Sequence, residues 1–195
     1  VLVYPNDADQ NNPKIRTVAA GEGKKIIEAE NLNAKSADDN MRMLGLILPT
    51  YGPRFSDPFF SEVMAGIGNE TSKRGYDLLV STQPPGPEEM QAYERIIRGR
   101  HVDGLLLLRT RRQDERIQFL LEQRFPFVAY GRSEMNLEYP WVGVDSYRGF
   151  CEAAQHLIDL AHRRIGFIAA PPELTFAAHR LAAYRDTLAQ NGLPI

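Results

Sequence analysis

The chain has a single cysteine, Cys151, so no disulfide can form within it. That excludes a disulfide-stapled secreted scaffold and fits a reducing cytoplasm. It also lacks a basic excess: 23 Lys and Arg stand against 25 Asp and Glu, a formal net charge of −2. A dedicated nucleic-acid-binding domain usually carries a cationic surplus, and none is visible here. No apolar run approaches the roughly 20 residues needed to cross a bilayer, which argues against a membrane partner. The N-terminal Val1–Pro5 runs into acidic and amide residues, so no retained secretory signal is expected.

The usual catalytic signatures are missing as well. No G-x-G-x-x-G or G-x-x-x-x-G-K-[ST] pattern offers a phosphate cradle. No G-x-S-x-G elbow marks a serine hydrolase, and no acidic pair follows the first strand as a phosphoacceptor would require. The histidines His101, His156, His162 and His179 are not spaced as a zinc pair and read as structural. Cys151 lies at a helix start without a base nearby and reads as a partly buried, inert thiol. The expectation is a protein without enzymatic activity, cofactor or metal.

What is present is alternation of strand and helix. Residues 1–40 stand apart: Asn6–Pro13 is polar and aperiodic, Lys24–Leu32 has the spacing of one short amphipathic helix, and Ser36–Asn40 reads as a linker. From Met43 the pattern changes. Met43–Leu48 is an unbroken apolar run, the mark of a strand covered on both faces. A loop over Thr50–Pro58 leads to a helix over Phe59–Arg74, ended by Gly75 as a left-handed cap. Further strands are expected at Tyr76–Val80, Val102–Leu108, Pro126–Tyr130, Val142–Asp145 and Ile165–Ala169. Helices are expected at Glu88–Arg100, around Ile117–Leu121, at Phe150–Leu160 and at Phe176–Asn191. Such an order calls for an α/β fold with a doubly wound parallel sheet, because parallel neighbours need a crossover. Ligands then bind beyond the carboxyl ends of the strands, which singles out the loops 49–58, 81–87, 109–114, 131–135 and 170–178.

Those loops offer rings and hydrogen-bonding groups. Phe60 shares a helix face with Val63, Met64 and Ile67 and reads as core, whereas Phe59 could equally stack on a sugar or base. Arg180 could fork onto vicinal hydroxyls or a carboxylate; it could also be a surface arginine paired with Asp186 or Glu173. Arg111, Arg112 and Arg116 read as a solvated helix start, and Glu88 and Glu89 as partners of a helix dipole.

Leu44–Pro49, Asp57–Glu62, Arg74–Leu79, Val102–Leu106, Val142–Asp145, His162–Ile168 and Arg180–Tyr184, in this order and spacing, resemble the lactose/galactose-repressor family of bacterial transcription regulators. The resemblance covers residues 43–195. It implies a type I periplasmic-binding-protein-like fold, with the first lobe over 41–142 and the start of a second over 143–195. It further implies a small-molecule effector, most simply a sugar, held between lobes. In the family this controls a separate DNA headpiece and hence operator DNA, usually in a cytoplasmic homodimer, with the first lobe's helices, here 60–74 and 88–100, commonly at the dimer face. Residue by residue, Phe59 and Phe60 match the ring-bearing pair of the cleft, Arg180 the clamp, and Asp145 the acid at the crossing between lobes. Thr50 and Arg132, in the loops after the first and fourth strands, complete the candidate effector set. Leu174 and Phe176 fall where some relatives carry polar contacts, which implies a different effector. Ile15–Ala20 faintly resembles a headpiece opening, but no recognition helix follows, and 33–40 lacks the hinge-helix pattern. The alternative is an exported sugar-binding protein of a transporter, which shares the fold.

Overall fold

The computed structural model describes residues 15–16, 28–29, 42–50 and 58–195. Strands β1 (Ile15–Arg16) and β2 (Glu28–Ala29) pair antiparallel, Ile15 opposite Ala29 and Arg16 opposite Glu28. Glu28 and Ala29 therefore do not belong to the helix expected over 24–32. So short an isolated helix gains too few bonds to offset its nucleation, and here the two residues bond across to β1. The remainder of that stretch, the linker at 36–40 and most of the loop at 50–58 lie outside the described residues.

Strand β3 (Met43–Pro49) is central, with β4 (Asp77–Gln83) on one side and β5 (Gly104–Leu107) on the other, both parallel to it. Leu46, Ile47 and Leu48 are fully buried, as an unbroken apolar run between two covered faces requires. Helix α1 (Pro58–Lys73) makes the crossover from β3 to β4, and α2 (Pro87–Arg98) the one from β4 to β5. Helix α3 (Glu115–Glu122) then leads to β6 (Phe127–Tyr130), and β7 (Trp141–Val142) completes a five-stranded sheet in the order β4-β3-β5-β6-β7.

Alternation along β3 sends Leu46 and Leu48 to one face, against Phe60 and Ile67 of α1. Ile47 goes to the other, where Tyr93 and Ile96 of α2 and Ile117 and Leu120 of α3 form the larger core. Helices thus cover both faces, and the sheet is doubly wound, as expected. Gly75 ends α1 with φ of 70°, the left-handed conformation anticipated for it.

The second unit begins with α4 (Ser146–Asp159), which packs on α5 (Thr175–Gln190). Two strand expectations need correction here. Asp145 is not the end of a strand; its carboxylate accepts the Arg148 N–H at 2.9 Å and caps α4. Residues 162–170 join no ladder among the described residues, and Ile168 is 99% exposed rather than buried. A strand needs a neighbour to satisfy its N–H and C=O groups, and no described strand lies beside this one. It is held instead through side chains: Phe167 packs between Phe150 and Tyr184, and the Tyr184 hydroxyl donates to the Ile165 carbonyl at 2.8 Å.

Candidate functional site

From β3 the chain turns to α1 on one face, and from β5 to α3 on the other. The strand order therefore reverses between β3 and β5, and the crevice beyond their carboxyl ends is where this type of sheet takes a ligand. Three segments meet there: the start of α1, the turn after β5, and the end of β6. Phe59 and Phe60 contribute rings in an edge-to-face pair 5.5 Å apart, and Tyr130 stands 5.7 Å from Phe59. Phe60 is 7% exposed and Phe59 42%, so the first is core with its edge at the crevice and the second faces outward. The Arg109 guanidinium lies 4.9 Å from the centre of the Phe60 ring.

Arg180 comes from the second turn of α5. Its guanidinium sits between the rings of Phe176 and Phe150, at 4.6 and 5.1 Å. It does not take the surface pairing with Asp186, whose carboxylate accepts the Tyr147 hydroxyl at 2.8 Å. Burial raises the Tyr130 phenol above its ordinary pKa, against the lowering pull of the Arg180 charge. Two buried polar atoms of α5, Arg180 Nε and Thr175 Oγ1, have no hydrogen-bond partner among the described residues. Native proteins rarely leave such atoms unsatisfied.

Beneath the crevice lies a buried ionic network. Arg116, at 0% exposed, donates to both Asp114 oxygens at 2.8 and 2.7 Å and to Glu89 at 2.9 Å. It also caps the end of β5 by donating to the carbonyls of Leu108 and Arg109, at 3.3 and 3.0 Å. Arg111 donates to the other Glu89 oxygen, so two guanidiniums balance two carboxylates. Burial pushes the Asp114 carboxyl up, but its bonds to Arg116 and the Arg111 N–H outweigh that and hold it below the usual range. For Arg116 burial works against the charge, and Asp114 and Glu89 more than restore it.

The same turn meets the second unit through its backbone. Thr175 N–H donates to the Thr110 carbonyl at 3.1 Å, and Arg112 N–H to the Glu173 carbonyl at 2.8 Å. Arg111 and Leu174 form an antiparallel bridge between them. Thr110 is tied in turn to β6, its hydroxyl donating to the Tyr130 carbonyl at 2.9 Å. Gly131 follows with φ of 111°, where a Cβ would stand 3.1 Å from the Thr110 hydroxyl.

Of the residues expected from the sequence, Phe59 and Phe60 gather with Tyr130, on whose phenol the Arg180 charge also acts. Thr50 closes the end of β3 onto β4, its N–H and hydroxyl both reaching the Gln83 carbonyl at 2.9 and 3.3 Å. Arg132 lies 6.0 Å over the Trp141 ring, and Asp145 caps α4. Leu174 is fully buried and Phe176 supports Arg180. The reading of Arg116 as part of a solvated helix start is overturned, since Arg116 is fully buried; Glu89 lies in the first turn of α2, as a partner of the helix dipole should, and is fully buried there. Arg112 alone fits the solvated reading, with an exposed bond to Glu134 at 2.8 Å. Tyr130 and Arg109 were missed, although each closes an expected strand at the carboxyl edge. Arg116 also carried a signal, since it precedes Leu120 by one helical turn and so shares its inward face.

Among the described residues no group of acidic, cysteine and histidine side chains could hold a metal ion, and no helix is long and apolar enough to cross a membrane. A family model described as periplasmic binding proteins and the sugar binding domain of the LacI family matches residues 41–195. The chain is similar to the HTH-type transcriptional regulator CelR of Thermobifida fusca, 31% identical over 197 residues, covering 96% of this chain and 56% of that protein. It spans about half the length of the curated relatives it matches. Among solved structures, a regulator described as putative transcriptional regulator LacI from Bacillus cereus subsp. cytotoxis NVH 391-98 is 34% identical. It superposes with a TM-score of 0.74 over 80% of this chain and 56% of that one. A complex of the transcriptional regulator CelR with cellobiose is 30% identical, with a TM-score of 0.71 over 80% of this chain and 48% of that one.

Proposed function

This chain belongs to the family of periplasmic binding proteins and LacI-family sugar-binding domains, and from that premise we propose that it is the effector-sensing core of a bacterial transcription regulator. The effector is a sugar, bound beyond the carboxyl ends of β3, β5 and β6. The observation that carries this is the ring cluster of Phe59, Phe60 and Tyr130 near enough to Arg180 for its charge to act on the Tyr130 phenol. Rings supply flat apolar faces for a pyranose, and a guanidinium supplies a fork of donors for its hydroxyls. The unsatisfied Arg180 Nε and Thr175 Oγ1 support the same reading, since a sugar hydroxyl would complete them. The cellobiose complex of a similar regulator supports the ligand class.

On this reading residues 41–142 form the first lobe and 143–195 the beginning of the second. The backbone bonds from Thr110 and Arg112 to Thr175 and Glu173 join the lobes at the rim of the cleft. A sugar that binds better when these bonds are made shifts the lobes toward closure, and closure changes affinity for operator DNA by the same coupling free energy. The DNA contacts lie in a headpiece outside the matched residues, and the working form is a cytoplasmic homodimer paired through α1 and α2. The relatives are named as transcription regulators, which favours this reading over an exported binding protein.

The test is calorimetric titration of cellobiose, maltose, galactose and ribose into the full-length product of the gene. At least one should bind, and Arg180→Ala should weaken it about 10-fold or more, as loss of a charged hydrogen-bond donor does, without lowering the melting temperature. Unchanged affinity in Arg180→Ala refutes the reading.

A further inference from the structure

Arg111 is the residue through which the second unit reaches the buried ionic network. Its backbone bridges Leu174, the residue before α5, and its N–H donates to the Asp114 carboxylate at 2.9 Å. Its side chain, 13% exposed, turns inward to Glu89 in the first turn of α2. One residue thus holds the rim of the cleft with its main chain and a core helix with its guanidinium. The rest of the turn is fixed from beneath. Arg116 holds the carbonyls of Leu108 and Arg109, the latter left-handed with φ of 54°, and shares Glu89 with Arg111.

Tyr93 is the neighbour of this network left without a bond. It lies one turn beyond Glu89 on the inward face of α2, at the spacing that makes two helix side chains neighbours. It is fully buried, and its hydroxyl has no hydrogen-bond partner among the described residues. Arg116, Glu89, Asp114 and Arg111 all lie close enough for their charges to act on its phenol, which burial drives above its ordinary pKa and keeps neutral. The hydroxyl therefore keeps a proton to donate. It does so beside two carboxylates, each of whose oxygens already serves a guanidinium. A buried polar atom without a partner costs free energy and is rare in native proteins. Beside four charged groups, such an atom fits a second arrangement in which one of those neighbours has let go.

Of the bonds that could let go, Arg111 to Glu89 is the one tied to the second unit. We propose that this bond is a latch between the cleft rim and α2. It is made while Arg111 and Leu174 are bridged and released when the lobes part, and the Tyr93 hydroxyl then donates to the Glu89 oxygen that Arg111 leaves. The rim bonds are made in this structure, and the hydroxyl is the spare partner. This rests on the sugar-sensing reading above, in which sugar favours the joined rim. Arg111 and Tyr93 are positioning residues: they set the balance between the joined and parted forms and touch no sugar.

The experiment titrates cellobiose, maltose, galactose and ribose into the full-length protein and into Tyr93→Phe, Arg111→Met and Arg180→Ala, with melting temperatures measured alongside. Tyr93→Phe removes only the hydroxyl, so it strips the parted form of its bond to Glu89 and leaves the joined form intact. Loss of a bond to a charged acceptor shifts an equilibrium about 10-fold or more, and apparent affinity follows the fraction of the competent form. The expected result is binding of the parent's sugar about 3- to 10-fold tighter in Tyr93→Phe, with a melting temperature at or above that of the parent. Arg111→Met, which removes the bond of the joined form, should bind about 10-fold or more weakly. A hydroxyl that only fills space moves the melting temperature of Tyr93→Phe and leaves affinity alone. Parental or weaker affinity in Tyr93→Phe, or parental affinity in Arg111→Met, therefore overturns the inference, and the sensing function stands if Arg180→Ala still loses binding. Parental binding in Arg180→Ala overturns the sensing reading and the inference with it, as does a parent protein that binds none of the four sugars.

Discussion

Replacing Arg116 by Met removes the centre of the buried network at nearly constant volume. The side chain is fully buried, so nothing from solvent replaces what it donated. Asp114 loses a two-point partner at 2.8 and 2.7 Å, and the carbonyls of Leu108 and Arg109 lose their donor. Glu89 keeps Arg111, but the balance of two cations and two anions becomes one against two. Breaking a buried pair by removing one partner costs about 3–5 kcal/mol, because the remaining charge stays desolvated. That is a large share of the roughly 5–15 kcal/mol by which a domain is stable. With a urea dependence of ~2 kcal/mol per molar, the unfolding midpoint should fall by about 2 M. The assay is urea denaturation followed by circular dichroism and by fluorescence of Trp141, the only tryptophan, which packs on the core containing Ile117 and Leu120. Arg112→Met is the control: its pair with Glu134 is exposed, and such pairs contribute ~0–1 kcal/mol. If Arg116→Met costs no more than Arg112→Met, the network does not hold the turn after β5.

The Asp114 carboxyl is held below its ordinary range, so its contribution is complete above the unfolded value of about 4 and is lost as pH falls through the folded value. Urea midpoints between pH 6 and 3 should therefore drop more steeply in the parent than in Asp114→Asn; parallel curves would refute the assignment. Gly131→Ala forces a side chain onto φ of 111° and against the Thr110 hydroxyl, at a cost of about 1–3 kcal/mol seen as a lower melting temperature. Phe59→Ala, at a ring 42% exposed, should change stability by under about 1 kcal/mol while weakening sugar binding measured by calorimetry; a stability loss of core size would return Phe59 to the core.

Much of this was legible in the sequence because local pattern and burial agreed. The Met43–Leu48 run became a central strand, the α1 spacing of Phe60, Val63, Met64 and Ile67 became a core face, and Gly75 took the left-handed cap. Expectations failed where a residue's surroundings come from distant segments. Ile165–Ala169 has the composition of a buried strand, but a strand exists only with a neighbour, and none is described beside it. Arg116 has the composition of a solvated helix start, yet it is fully buried and pairs with Glu89 of α2. Charge alone reads as exposure unless its counter-charge is known, and residue 89 and residue 116 are not neighbours in any local pattern.

The sequence by itself determined the alternation of strand and helix, the parallel sheet with helices on both faces, and the edge at which a ligand would sit. These follow from apolar periodicity and from the crossover that parallel strands require. Only the tertiary structure decided which groups meet at that edge. It set Arg180 between Phe150 and Phe176, joined Phe59 and Phe60 to Tyr130, and fixed Arg109 in a left-handed turn over a buried ionic network. The contacts of Arg180 with Phe150 and of Phe59 with Tyr130 join residues tens of positions apart, and their energies depend on distance and desolvation, which no reading of neighbouring residues supplies.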